Sequence, residues 1–251
     1  MLAPQRLALS GPTLVRLLAG LGNAEVPESR QSISDHLSQW LGWTDAIALS
    51  TALSNNAQAA SARAAAARVG ASAEQTQSER VRAALTKAIV GDGASARRDG
   101  RRTPAAAAQA QADVEPDFAD FRQRYLALQQ AMETDIGTLR TRLRATLAVR
   151  TPAHARLATV DAVMEQALGA RERNLLASVP ALLGAHFERL RAAAVATATA
   201  AASEATAESA APCAPRAWLA DFRKDMQSVL LAELEIRFQP VEGLLAALRT
   251  S

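Results

Sequence analysis

The fold turns on Leu147-Ala148-Val149-Arg150-Thr151-Pro152-Ala153-His154. On its N-terminal side large apolar residues recur in steps of three and four, at Phe118, Phe121, Tyr125, Leu128, Met132, Ile136, Leu139, Leu143 and Leu147. That spacing keeps one stripe on one face of a helix. On the C-terminal side the same spacing carries Leu157, Val160, Met164, Leu168, Leu175, Val179, Leu182, Phe187 and Leu190. Between the two runs Thr151 is placed to cap a new helix, and Pro152 suits a first helical position, where no N–H is needed. The stretch from Pro116 to about Ala194 is therefore expected to form an elongated antiparallel hairpin with a short loop, its two stripes burying each other in a coiled-coil-like seam. In the second arm Pro180, whose ring clashes with the carbonyl four residues earlier, predicts with Gly184 a kink or two consecutive helices.

Two helices leave the flanks of their seam exposed and bury too little apolar area to offset chain entropy. The closing helix, Arg216 to Phe238, offers a third strip through Trp218, Leu219, Phe222, Met226, Val229, Leu230 and Leu234, and Pro240 is expected to separate it from a short tail helix through Leu244, Leu245 and Leu248. The expected fold is all-α: a long helical hairpin completed by a C-terminal helix as a three-helix bundle over residues 116–251. The rival is a homo-oligomer in which two hairpins pair into a four-helix bundle.

Residues 1–54 read as a small N-terminal helical head. A short helix from Thr13 to about Ala19 is closed by Gly20 and Gly22, a second uses Ile33, Leu37, Trp40 and Leu41, and a third follows Gly42 from Trp43 to Leu53. Residues 55–115 read as an alanine-rich linker of weak order with one short amphipathic helix, Glu79 to Val90, through Val81, Leu85 and Ile89. Alanine supplies much of the 49% hydrophobic content and only 4% of the chain is aromatic, so a thick globular core is not expected.

The 28 basic residues barely exceed the 25 acidic ones, for a net charge of +3, which is not the excess of a dedicated nucleic-acid binder. The single cysteine, Cys213, excludes an internal disulfide and a cysteine metal cluster, and a cytoplasmic location is expected. Leu7 to Leu21 is apolar, but Pro12, Arg16 and the lack of a small-residue cleavage site argue against a signal peptide. No run approaches the roughly 18 uncharged apolar residues of a membrane span.

No catalytic, cofactor or metal site is expected. His36, His154 and His186 lack the paired spacing of a zinc site, and there is no phosphate-cradling glycine loop, no nucleophile elbow and no cysteine with an obvious base. Arg140, Arg142, Arg144 and Arg150, with Arg97, Arg98, Arg101 and Arg102, have the chemistry to meet phosphate oxygens. Acidic residues share the same arm and no aromatic residues interleave for base stacking, so a solvated helix face is the better reading. The candidate partner-binding residues are Trp40 and Trp43, with Leu37 and Asp45 beside them, because tryptophan dominates interface hot spots. Burial of both tryptophans within the head is the competing reading.

At Val26-Pro27-Glu28-Ser29-Arg30-Gln31, at Leu37 to Ala46 and at Trp218 to Met226 the chain resembles a bacterial family described only as a domain of unknown function. The resemblance brings no catalytic residues. The family looks like one encoded beside membrane-anchored proteins similar to outer-membrane-protein-A and proton-channel components, which implies a cytoplasmic partner of an envelope complex. The expected function is a non-catalytic adaptor or scaffold that binds protein partners and no small-molecule substrate. The alternatives are an amphipathic surface-coating protein, similar in composition to the phasins of storage granules, and a non-specific nucleic-acid binder.

Overall fold

The computed structural model describes residues 13–22, 33–54, 64–91, 117–204 and 217–250, and every regular element among them is an α-helix. In chain order these are α1 (Thr13–Gly22), α2 (Ile33–Trp40), α3 (Trp43–Ser54), α4 (Ala64–Val90), α5 (Phe118–Ala148), α6 (Pro152–Leu176), α7 (Val179–Glu204) and α8 (Ala217–Arg249). The turn between α5 and α6 forms as its residues dictate. Thr151 is extended (φ −133°, ψ 162°), its hydroxyl accepts from the His154 amide at 3.2 Å, and Pro152 starts α6.

The second arm divides as expected, and two other elements differ from expectation. The second arm is two helices, parted at Ala177 and Ser178, and Pro180 lies in the first turn of α7, where its missing N–H removes no helix bond. Helix α4 begins at Ala64 rather than Glu79, and it buries Glu74, Ser78, Leu85 and Ile89. Pro240 does not end the closing helix: α8 runs through it as one helix to Arg249. One backbone bond is forfeited there, but Val241, Leu244, Leu245 and Leu248 on the following turns are all buried. Burying four such side chains is worth about 1.5–3 kcal/mol each, which outweighs the roughly 3 kcal/mol cost of an interior proline.

The chain divides into two compact units, one of Met1–Pro27, Gly93–Leu126 and Ser178–Glu233, the other of Glu28–Asp92, Ala127–Ala177 and Leu234–Ser251; the division falls inside α5 and α8. The first unit is built on aromatic rings. Phe118 and Phe121 of α5, Phe187 of α7, and Trp218 and Phe222 of α8 form one cluster, with Phe222 edge-on to Phe187 at 5.0 Å and to Phe121 at 5.1 Å between ring centres. Such tilted contacts suit the ring quadrupoles. Gly184 lets the cluster close, since a Cβ there would lie 2.9 Å from Phe118 Cε1. Helix α1 packs on α7, and Arg189 donates to the carbonyl of Leu21 at the C-terminal end of α1. In the same unit burial lowers the pKa of the Arg124 guanidinium below its ordinary value.

The second unit gathers α2, α3, α4 and α6 with the C-terminal parts of α5 and α8. Arg142 Nε of α5 sits 2.8 and 3.0 Å from the two carboxylate oxygens of buried Glu74 on α4. Arg82 of α4 pairs with Glu242 at 2.7 Å and covers the Phe238 ring, and Arg249 reaches Gln75 at 2.7 Å. Between α5 and α6 the stripes do not bury each other as expected. Met132, Ile136, Leu139, Leu143 and Leu147 are buried, whereas on α6 Leu157 is 39% and Leu175 61% exposed, with Val160, Met164 and Leu168 half-buried. Charge sets the register instead. Arg140 and Arg144, one turn apart on α5, meet Asp161 and Glu165, one turn apart on α6, so that each of the four carboxylate oxygens is held by a guanidinium at 2.5–3.1 Å.

Candidate functional site

Helices α2 and α3 hold all four residues that the sequence nominates for partner binding. Leu41 N donates to Leu37 O at 2.9 Å as α2 ends, and Gly42 then takes the N-cap position of α3. Asp45, three residues on, accepts from the Gly42 amide at 3.0 Å, the return half of a capping box. This satisfies an orphan donor at the helix start, so the Asp45 carboxylate supports the α2–α3 corner. Leu37 is half-buried.

The two tryptophans part company. Trp40 is half-buried, and the guanidinium of Arg171 on α6 lies 4.7 Å from its ring centre, a cation–π contact that fixes the end of α2 on α6. Trp43 is 82% exposed. At helical spacing the half-buried Asp45 and Leu49 and the buried Ala52 share one face of α3, the side that packs on α6. The opposite face presents Trp43, Ala46, Ile47, Ser50 and Leu53, with Ile47 51% and Leu53 55% exposed. That face carries no charge, and the sequence has no lysine or arginine between Arg30 and Arg63. Ile47 and Leu53 went unnoticed in the sequence, where they read as ordinary helix residues. The position of Ile47 one turn after Trp43 is the signal that marks them.

The other candidate chemistry is held in structural contacts. Arg140 and Arg144 belong to the carboxylate ring, Arg142 to Glu74, and Arg150 donates to the carbonyl of Leu248 at 2.6 Å. Arg97, Arg98, Arg101 and Arg102 lie outside the described residues. His154 meets the Ala247 carbonyl through Nε2 at 3.0 Å and Thr151 Oγ1 through Nδ1 at 2.6 Å. An imidazole with Nε2–H toward the carbonyl and Nδ1 accepting from the hydroxyl satisfies both. His186 Nε2 lies 2.8 Å from Asp225 Oδ2. The His36 side chain is outside the described set. Among the described residues no three His, Cys, Asp or Glu side chains converge, and no helix is long and apolar enough to cross a membrane.

The chain belongs to the family DUF3348, described as a protein of unknown function, whose match runs over residues 1–250. No curated protein and no solved structure matches it.

Proposed function

We propose that this member of DUF3348 is a non-catalytic helical scaffold that presents the outer face of α3 to a protein partner. The observation that carries the reading is the exposure of Trp43, with Ile47 and Leu53 beside it on a face without charge. A monomer rarely leaves a tryptophan so bare, and aromatic anchors that fill a partner's pocket dominate interface energies. An uncharged face in a region without cations favours an apolar protein surface over nucleic acid or anionic lipid. The gene neighbourhood implied by the resemblance favours, as that partner, a component of an envelope complex met on the cytoplasmic side.

The alternatives have less behind them. A phasin-like coat needs large apolar faces free to spread, and the stripes of α5 and α8 are buried. Phosphate binding needs free guanidiniums, and those of Arg140, Arg142 and Arg144 are engaged. The test is a Trp43→Asp, Ile47→Asp variant of the full chain used to capture partners from native cells. Loss of a partner retained by wild type, with an unchanged melting curve, is expected; retention of every wild-type partner overturns the reading.

A further inference from the structure

The outward residues of α3 repeat with a spacing that reads the same in both directions. Trp43, Ile47, Ser50 and Ser54 follow one another in steps of four, three and four, and all four are exposed. These are the steps of a coiled-coil seam, so the four side chains form one strip along the helix. The other side of α3, through Asp45, Leu49 and Ala52, is the one that packs on α6.

Size is graded along the strip, with two large apolar side chains in its first half and two serines in its second. Laid antiparallel against its own copy, about the midpoint between Ala48 and Leu49, the strip sets Trp43 on Ser54 and Ile47 on Ser50 of the other helix. Each contact occurs twice, and each large side chain enters the space above a small one. Leu53, beside Ser54 and itself exposed, widens the apolar surface offered to the indole. A parallel pair would instead stack Trp43 on Trp43 and leave serines facing serines, with a clash at one end and a gap at the other.

Charge and hydrogen bonding agree with this self-complementarity. A two-fold axis brings residues near it close to their own copies, so a charge there would meet its like. The only charged residue of α3 is Asp45, on the inward side and engaged with the Gly42 amide. Thr51, flanking the strip, gives its hydroxyl to the Ile47 carbonyl at 2.9 Å, and serines in a helix can bond back in the same way, so closing the seam strands no donor. The contact is small. Two copies bury roughly 800 Å² in total, below the about 1,200 Å² at which stable specific interfaces begin and within the range of transient ones.

We infer that α3 pairs antiparallel with α3 of a second copy of this chain, in a weak, reversible two-fold dimer that covers Trp43 until a partner displaces it. This rests on the reading of the face as a docking surface and adds its regulation: self-association and partner compete for one strip. It differs from the pairing of hairpins into a four-helix bundle, which needs the α5 stripe, where Met132, Ile136, Leu139, Leu143 and Leu147 are buried within the chain.

Sedimentation velocity of the full chain over about a thousandfold range of concentration tests the pairing, and wild type is expected to pass from monomer toward dimer as concentration rises. Ile47 lies beside the two-fold axis. Ile47→Lys and Ile47→Asp, each alone, are expected to weaken the dimer at least about tenfold by bringing like charges together, and an equimolar mixture to pair at least about threefold more tightly than either. Position 47 is exposed, so melting curves of both variants at low concentration should match wild type, which separates loss of pairing from loss of fold. In a Cys213→Ser chain, Ser54→Cys is expected to give no disulfide-linked dimer, because antiparallel helices hold the two positions about 16 Å apart. A wild type that stays monomeric throughout, a mixture no tighter than its components, or a linked Ser54→Cys dimer would overturn the proposal. If wild type is monomeric while Trp43→Asp, Ile47→Asp still loses a partner, the pairing fails and the docking face stands; a dimer whose disruption loses no partner gives the reverse.

Discussion

Tyr125 donates its hydroxyl to Glu233 Oε2 at 2.5 Å, and neither side chain has any solvent exposure. The pair joins α5 to α8 inside the first unit, where a carboxylate is costly to bury without its donors. Tyr125→Phe is expected to destabilise by about 1–3 kcal/mol, the cost of an acceptor left short in the core. Replacing both groups, as Tyr125→Phe with Glu233→Leu, is expected to cost less than Tyr125→Phe alone. A double-mutant cycle by urea unfolding checks this, and strictly additive losses would contradict it.

The ring of Arg140, Arg144, Asp161 and Glu165 makes a second prediction. Its side chains are between 13% and 34% exposed, so removal of one member should fall between the surface and buried ranges. Arg144→Ala is expected to cost about 2 kcal/mol by leaving two carboxylate oxygens without a partner. Arg173→Ala, which breaks the more exposed pair with Glu133, is expected to cost at most about 1 kcal/mol. Raising salt should narrow the gap between wild type and Arg173→Ala more than that between wild type and Arg144→Ala. Thermal melts at low and high ionic strength read both.

Gly137 and Gly184, both inside helices, should answer opposite ways to the same change. Gly137→Ala meets open space and is expected to stabilise by up to about 1 kcal/mol, the gain in helix propensity. At Gly184 the new methyl runs into the Phe118 ring, and overpacking of about 1–3 kcal/mol cancels or exceeds that gain. Equal shifts in melting temperature for the two variants would show that the Phe118 ring moves aside freely.

Trp40 of α2 and Trp43 of α3 separate in the same way. Trp43→Ala should leave stability within about 0.5 kcal/mol of wild type, as for other solvent-facing positions. Arg171→Ala should lose about 0.5–1 kcal/mol with its cation–π contact to Trp40. Iodide quenching of fluorescence should fall sharply in Trp43→Ala, because the most exposed indole is then gone; unchanged quenching would place Trp43 under cover.

The sequence made the α5–α6 turn legible because its signals are local: a threonine cap, a proline that needs no N–H, and two periodic runs on either side. The strip on α8 was legible for the same reason, and Phe222, Met226, Val229, Leu230 and Leu234 are all buried. Where tertiary contacts outvote local preference, the sequence misleads. Pro240 looks like a stop until the burial of the turns after it is counted. The alanine-rich start of α4 offers little apolar area to read, and the pairing of Glu74 with Arg142 is invisible across 68 residues. Arg140 and Arg144 resemble phosphate ligands until Asp161 and Glu165 are brought opposite them. Of the nominated partner-binding residues, only the setting distinguishes Trp40, tied to Arg171, from Trp43, which faces solvent.

The last carbonyls of α8 are held by Arg150 and His154, residues 98 and 93 positions earlier in the chain. Synthesis is vectorial, so the turn leaves the ribosome long before the helix end it will fasten. At about 5–20 residues per second the wait is roughly 5–20 s. During that wait the buried side chains of the second unit lack Leu234, Phe238, Val241 and Leu245, which complete its apolar core. The nascent chain therefore spends seconds with that apolar seam open.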